Sequence, residues 1–185
     1  MNADLHWRTA LALAMLLILP LVVATRSPLS AQRRRDPLNP LEIDQLRDAM
    51  LDPDQRLKLY VKFSRDRMTK LEQMRSDPKV KERGQQTHDM LEDFIGVYGE
   101  LDDNVEMYVG RKEDIRKVLK LVIEADTEFQ SKLRALKSAA NTNTEEASQY
   151  EFLLTDALDT VDSSTEDHRK TLTEVEDYMK HKKKK

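Results

Sequence analysis

The sequence predicts an all-α protein: an up-down bundle of about four long antiparallel helices, preceded by one short helix and packed like a coiled coil. Three observations carry that reading. Residues 84–109 place Leu91, Phe94, Tyr98, Leu101, Val105 and Tyr108 at alternating steps of three and four, a stripe along one side of a helix. Two later segments repeat such a stripe. Charged residues make up 35% of the chain against 5% aromatics, with only four glycines, a composition that suits long helices better than sheets.

The first element reads as an export signal. Arg8 precedes an apolar run from Leu11 to Ala24, interrupted only by Pro20. Its 14 residues match a signal core and fall short of the roughly 20 that a membrane-spanning helix needs. Small residues allow cleavage after Ala24 or after Ala31. The second is favoured, giving a signal over 1–31 and export to a periplasmic or extracellular space. The chain has no cysteine, which excludes a lipid-anchored lipoprotein, disulfides and thiolate metal sites. Arg26, Arg33, Arg34 and Arg35 follow the run, and such basic flanks tend to stay cytoplasmic. An uncleaved single-pass anchor with a cytoplasmic body is therefore the alternative.

After a basic linker over 32–39, acid and proline punctuation marks the helix starts of a bundle domain over 40–179. Asn39-Pro40-Leu41-Glu42 sets an N-cap, a proline at the first helical position and a glutamate at the third. Asp52-Pro53 and Asp77-Pro78 repeat the device, and Thr142-Asn143-Thr144-Glu145 has capping-box spacing. The expected helices are 40–51, 53–76, 78–109, 111–140 and 143–181. Gly110 is expected to end the third, because unbroken helix from 78 to 140 would be about 95 Å long. Ser163-Ser164-Thr165-Glu166 is a candidate break in the last. The spacing of Val161, Thr165, His168, Leu172, Val175 and Met179 argues for continuity.

The expected core follows the stripes. Helix 53–76 offers a wide face of Leu57, Tyr60, Val61, Phe63, Met68, Leu71 and Met74. Helix 111–140 offers Ile115, Val118, Val122, Ala125, Phe129, Leu133, Leu136 and Ala140. The last helix offers Tyr150, Leu154, Ala157 and Val161 and weakens toward its end. Short loops between long helices make consecutive helices antiparallel neighbours. Charge alternates along the chain, with a net of +4 over 52–83, −7 over 84–110, +3 over 111–140 and −9 over 141–179. Each long helix thus finds an oppositely charged neighbour, which disfavours wrong pairings.

Catalytic and cofactor motifs are missing. No glutamate has a histidine three residues later, as di-metal bundles require, and glycines never cluster into a phosphate loop. His88 with Glu92, and Glu124 with Glu128, are the nearest approaches to ligand spacing. Glu100, Asp102, Asp103 and Glu106 form the densest acidic cluster and read as a solvated face; weak cation binding at Glu100, Asp103 and Glu106 stays open. His168 falls on the last stripe and reads as a buried, hydrogen-bonded histidine rather than a pH sensor. Asp126 borders its stripe and is expected to reach a base on a facing helix.

The body from 36 to 179 carries 21 bases and 33 acids, which repels nucleic acid. The ends are basic: Arg33, Arg34 and Arg35 at one, and Lys180, Lys182, Lys183, Lys184 and Lys185 in a tail over 180–185 at the other. An even number of long helices would return the tail to the pole that the arginines approach, and lysines there can contribute about 1 kcal/mol each at an anionic membrane. These eight residues are the candidate membrane or partner contacts. The expected function is an exported, non-catalytic bundle without cofactor or metal, acting by protein or membrane-surface contact as a scaffold, adaptor or chaperone-like protein. Apolar edges on helix 53–76 and on the last helix would pair two copies or receive a partner helix. A metal- or ligand-binding bundle is a further alternative.

Overall fold

The computed structural model describes residues 36–182, which are helical with no strand among them. Among the described residues six helices follow in order: α1 Pro40–Asp48, α2 Pro53–Ser76, α3 Arg83–Gly110, α4 Arg116–Ala140, α5 Thr144–Ala147 and α6 Glu151–Lys182. The four long ones pack into a bundle. The apolar run over 11–24 lies outside the described residues. No described helix is long and apolar enough to cross a membrane.

Local chemistry sets the first two starts as expected. The Asn39 side chain accepts the N–H groups of Leu41 and Glu42, and the Glu42 carboxylate accepts the N–H of Asn39, a complete capping box before α1. Asp52 accepts the N–H of Gln55 and caps α2. α1 stops at Asp48, short of the expected residue 51.

The third Asp-Pro does not start a helix. Asp77 accepts the N–H of Lys79, two residues on, at 2.9 Å, which closes an Asx turn instead of capping. α3 begins only at Arg83, after Glu82 takes the left-handed region at φ 52°.

The turn after α3 is present, but Gly110 is not its hinge. Glu113 N–H donates to Tyr108 O at 3.1 Å and Lys112 N–H to Val109 O at 2.9 Å. That is a Schellman closure whose left-handed residue is Lys112, at φ 60°.

The single helix expected over 143–181 is split. α5 is one turn capped by Asn143, which accepts the N–H of Glu146, and a turn over 148–150 precedes α6. Glu146 and Tyr150 on either side of this break both engage Arg75 of α2. The carboxylate lies 2.8 Å from the guanidinium and the ring centroid 5.3 Å from it. Across Ser163 α6 runs unbroken, as the register requires.

Every stripe residue named for the four long helices is buried except Leu172, which is half-buried against the core. Phe94, Tyr98 and Phe129 form the aromatic centre: Phe129 meets both other rings edge-on, at centroid distances of 5.3 and 5.9 Å. Two expectations about free apolar edges are corrected. The wide face of α2 is covered within the chain by α1, α3 and α4. The last stripe is completed by Val175 and Met179, each 7% exposed.

Neighbours in sequence are not always neighbours in space. α2 packs on α3 and α4 on α6, as antiparallel pairs. α2 also packs on α4, and α3 on α6, and these pairs run parallel. α3 and α4 therefore stand at opposite corners. The connection over 111–115 can stretch about 17 Å, enough for the diagonal of about 14 Å in a square of helices 10 Å apart. Unlike net charges thus meet along two sides of the bundle only. Along the α2–α4 side the minority acids bridge two basic helices: Arg65 to Glu128 at 2.8 Å and Lys132 to Glu72 at 2.7 Å. The α3–α6 side joins the two acidic helices.

Candidate functional site

The two acidic helices meet at a cation. His168 of α6 is 2% exposed and lies between Asp126 of α4, fully buried, and Asp102 of α3. Its Nδ1 is 2.8 Å from Asp126 Oδ2, and the Tyr98 hydroxyl donates to the other oxygen of Asp126 at 2.8 Å. On the far side of the ring, Nε2 lies 3.0 Å from Asp102 Oδ1. The N–H there is not aimed at the oxygen, so this contact is an ion pair rather than a directed hydrogen bond. Ser164 Oγ donates to Asp102 Oδ2 at 3.2 Å. Three helices at the bundle centre are tied together by this chain of polar groups.

The electrostatics follow from burial against charge. Burial opposes charging the imidazole, yet the contacts with Asp102 and Asp126 outweigh it, and its pKa is pushed up to about 9. His168 is therefore a cation at neutral pH. Contact with His168 in turn holds Asp102 below its ordinary value against the opposing effect of burial. Burial, then the charge and bond of Asp126, push the Tyr98 phenol up, so it stays a donor.

A second buried ion pair fixes α1. Arg67 of α2 donates through both terminal nitrogens to the two Glu42 oxygens at 2.6 Å, and Nη2 also donates to Pro37 O. Burial raises the Glu42 carboxyl, but the bonds from Arg67 and the Asn39 N–H hold it below its ordinary value. Nearby, Arg56 Nη1 donates to Leu46 O at 2.7 Å and Nε to Asn104 Oδ1 at 3.0 Å.

The Ser164 hydroxyl points at a carboxylate, not at an imidazole nitrogen, so no nucleophile–base pair forms. Asp102 and Asp126 contact opposite nitrogens of His168 and share no point for a cation. Among the described residues no group of three His, Asp or Glu side chains is placed to hold a metal. Asp102 alone of the network's charged members reaches solvent, at 44% exposure.

Of the candidate contacts, Lys180 and Lys182 stand exposed at the end of α6, with Lys180 paired to Asp177 at 3.0 Å. Arg33, Arg34, Arg35 and Lys183 to Lys185 lie outside the described residues. The described chain does not enter at the pole where α6 ends. Pro37 bonds to Arg67 and packs on Gly96, about 21 Å along α2 from its start, because α1 runs back down α2. The premise that joined the two basic clusters at one pole is therefore not met at Pro37.

Glu100, Asp103 and Glu106 are exposed along α3 and do not gather around Asp102, which turns inward to His168. His88 contacts Asp89 at 3.3 Å rather than Glu92. Glu128 is drawn to Arg65 and Lys132. Sequence reasoning picked out His168 and Asp126 by their positions on or beside the stripes. It missed Tyr98 as a polar partner, and the Glu42–Arg67 pair altogether; a charged residue inside the wide face of α2 was the available signal.

The fold and its buried network define a class, an all-α bundle stitched by internal ion pairs. No family model, curated protein or solved structure matches the chain.

Proposed function

We propose that this protein is an exported, non-catalytic bundle that works by binding a protein partner, as a scaffold, adaptor or chaperone-like protein. One observation carries the reading: the acidic α3 and α6 lie side by side. Charge that would cancel in an alternating bundle is concentrated on one flank, while the polar chemistry of the interior is spent on holding helices together. Glu92, Asp103 and Glu106 of α3, with Asp159, Asp167 and Glu174 of α6, are exposed on these helices. Such a flank favours a cationic protein surface and speeds encounter with it.

The test is cross-linking and co-purification from the native host at low and high salt. Partners released by about 0.5 M salt, and lost when Glu92, Asp103 and Glu106 become glutamines, support the reading. Partners indifferent to both changes overturn it. Export is tested separately. Trp7 is the only tryptophan, so cleavage after Ala24 or Ala31 yields a product without indole fluorescence and with a matching drop in intact mass.

The anchored alternative rests on Arg26 and Arg33 to Arg35 behind the apolar run. It predicts that Trp7 is retained and that the protein fractionates with membranes.

A further inference from the structure

We propose that the end of the bundle formed by the α1–α2 turn and the C-terminus of α6 is a self-docking surface, occupied by the same end of a second copy. The proposal goes beyond the partner-binding reading and does not depend on it. At this end α2 starts, α3 stops, α4 starts and α6 stops. Lys120 pairs with Glu176 at 3.1 Å, and Lys112 lies over the Tyr178 ring, which gathers the last three.

Two corners of this end carry opposite chemistry. At the α1–α2 corner, Asp48, Asp52 and Asp54 meet no base within ion-pair distance among the described residues. Beside them Met50 is 62% and Leu51 90% exposed; among the described residues the only other exposed large apolar side chains are Leu41, Phe152 and Tyr178. A groove of about 430 Å³, lined by Asp48, Asp52 and Leu59 among others, opens next to this pair. At the α6 corner, Lys182 has no ion pair among the described residues, and Lys180 pairs only with Asp177 of its own helix. Tyr178 is 41% exposed there, and the sequence runs on through three more lysines.

α2 and α6 occupy diagonal corners, so these opposite charges do not meet inside one molecule. A two-fold axis along the other diagonal sets the acidic corner of each copy on the basic corner of its mate, twice over. An isologous interface must be self-complementary, and this end is so by charge, with Met50, Leu51 and Tyr178 supplying apolar contact. A bundle end about 20 Å on a side offers roughly 400 Å² per copy, below the roughly 800 Å² per partner of a stable complex. The dimer is therefore weak, fast-exchanging and sensitive to salt.

Sedimentation velocity on the full chain at low salt, up to about 0.5 mM, tests this with charge reversal. Wild type is expected to sediment faster as concentration rises, and 0.5 M NaCl to remove the effect. D48K/D54K and K180E/K182E, which spare the Asp52 cap, are each expected to associate at least tenfold more weakly, with circular dichroism confirming that both variants keep the helical fold. Mixed one to one, they are expected to associate more tightly than either does alone, because the native lysine corner of the first then faces the native aspartate corner of the second. The proposal is overturned if wild type stays monomeric, if either variant self-associates as wild type does, or if the mixture fails to pair. Binding to anionic vesicles that needs Lys180 and Lys182 but not Asp48 and Asp54, without self-association, would assign the tail to lipid and overturn it too.

Discussion

His168 sits between Asp126 and Asp102 as a cation, and removing it leaves the fully buried Asp126 without its cationic partner. Breaking a buried pair by deleting one partner costs about 3–5 kcal/mol. We expect His168→Leu to lose that much in denaturant melts, and His168→Leu/Asp126→Leu to regain most of it. The same site sets a pH dependence. The imidazole titrates at its ordinary 6.5 when unfolded and at about 9 in the fold. A raised pKa gives stabilisation that is complete below 6.5 and lost as pH rises through 9, roughly 3 kcal/mol at 1.36 kcal/mol per unit. Asp102 has the opposite sign: its lowered pKa gives stabilisation present above its ordinary 3.8 and lost as pH falls through the lowered value. Thermal midpoints should therefore decline from about pH 6.5 to 9.5, and His168→Leu should flatten that decline. An unchanged alkaline limb in the variant would remove His168 as its source.

Among the elements, the helix ends carry strain and slack that substitutions can read. Lys112 closes α3 at φ 60°, a conformation that costs a non-glycine residue about 1 kcal/mol. Lys112→Gly is expected to stabilise by a few tenths to about 1 kcal/mol after the entropy of glycine is counted. Gly99 lies inside α3, and a Cβ there would meet nothing within 4 Å. Gly99→Ala should add about 0.5–1 kcal/mol through helix propensity alone. Gly96, three residues earlier, should behave differently. A Cβ there would come within 2.8 Å of the Pro37 ring, so Gly96→Ala should loosen the entry to α1, seen as faster amide exchange over 39–48. Equal effects at the two glycines would refute the Pro37 contact. Sequence already marked α1 and α2 through Asn39 and Asp52. It misled at Asp77 because the same dipeptide closes an Asx turn when Lys79 N–H, rather than a third-position N–H, takes its carboxylate.

For the whole molecule, two of the four bundle sides join helices of like net charge. Exposed ion pairs along those sides contribute only a few tenths of a kcal/mol each, and the acidic α3–α6 side has His168 as its buried counter-charge. Self-repulsion over that side is screened by salt while apolar burial is not. We expect the thermal midpoint to rise by a few degrees between about 20 and 500 mM NaCl. A falling midpoint would mean that the surface pairs outweigh the repulsion.

The helix class, the number of long helices and most of the core follow from periodicity and caps, because a stripe at 3.6-residue spacing has one way to be buried; Leu46, Val97, Leu119 and Leu158 lie off the named stripes and are buried all the same. Which corner each helix takes is a different matter. Stripe and net charge alike left α3 and α4 as neighbours, and only the assembled bundle sends the 111–115 connection across the diagonal. Once it does, Tyr98, Asp126, His168 and Asp102 converge from helices far apart in sequence. A short-range pattern records which face of a helix is apolar; which three faces meet at one buried cation depends on packing geometry that no single segment contains.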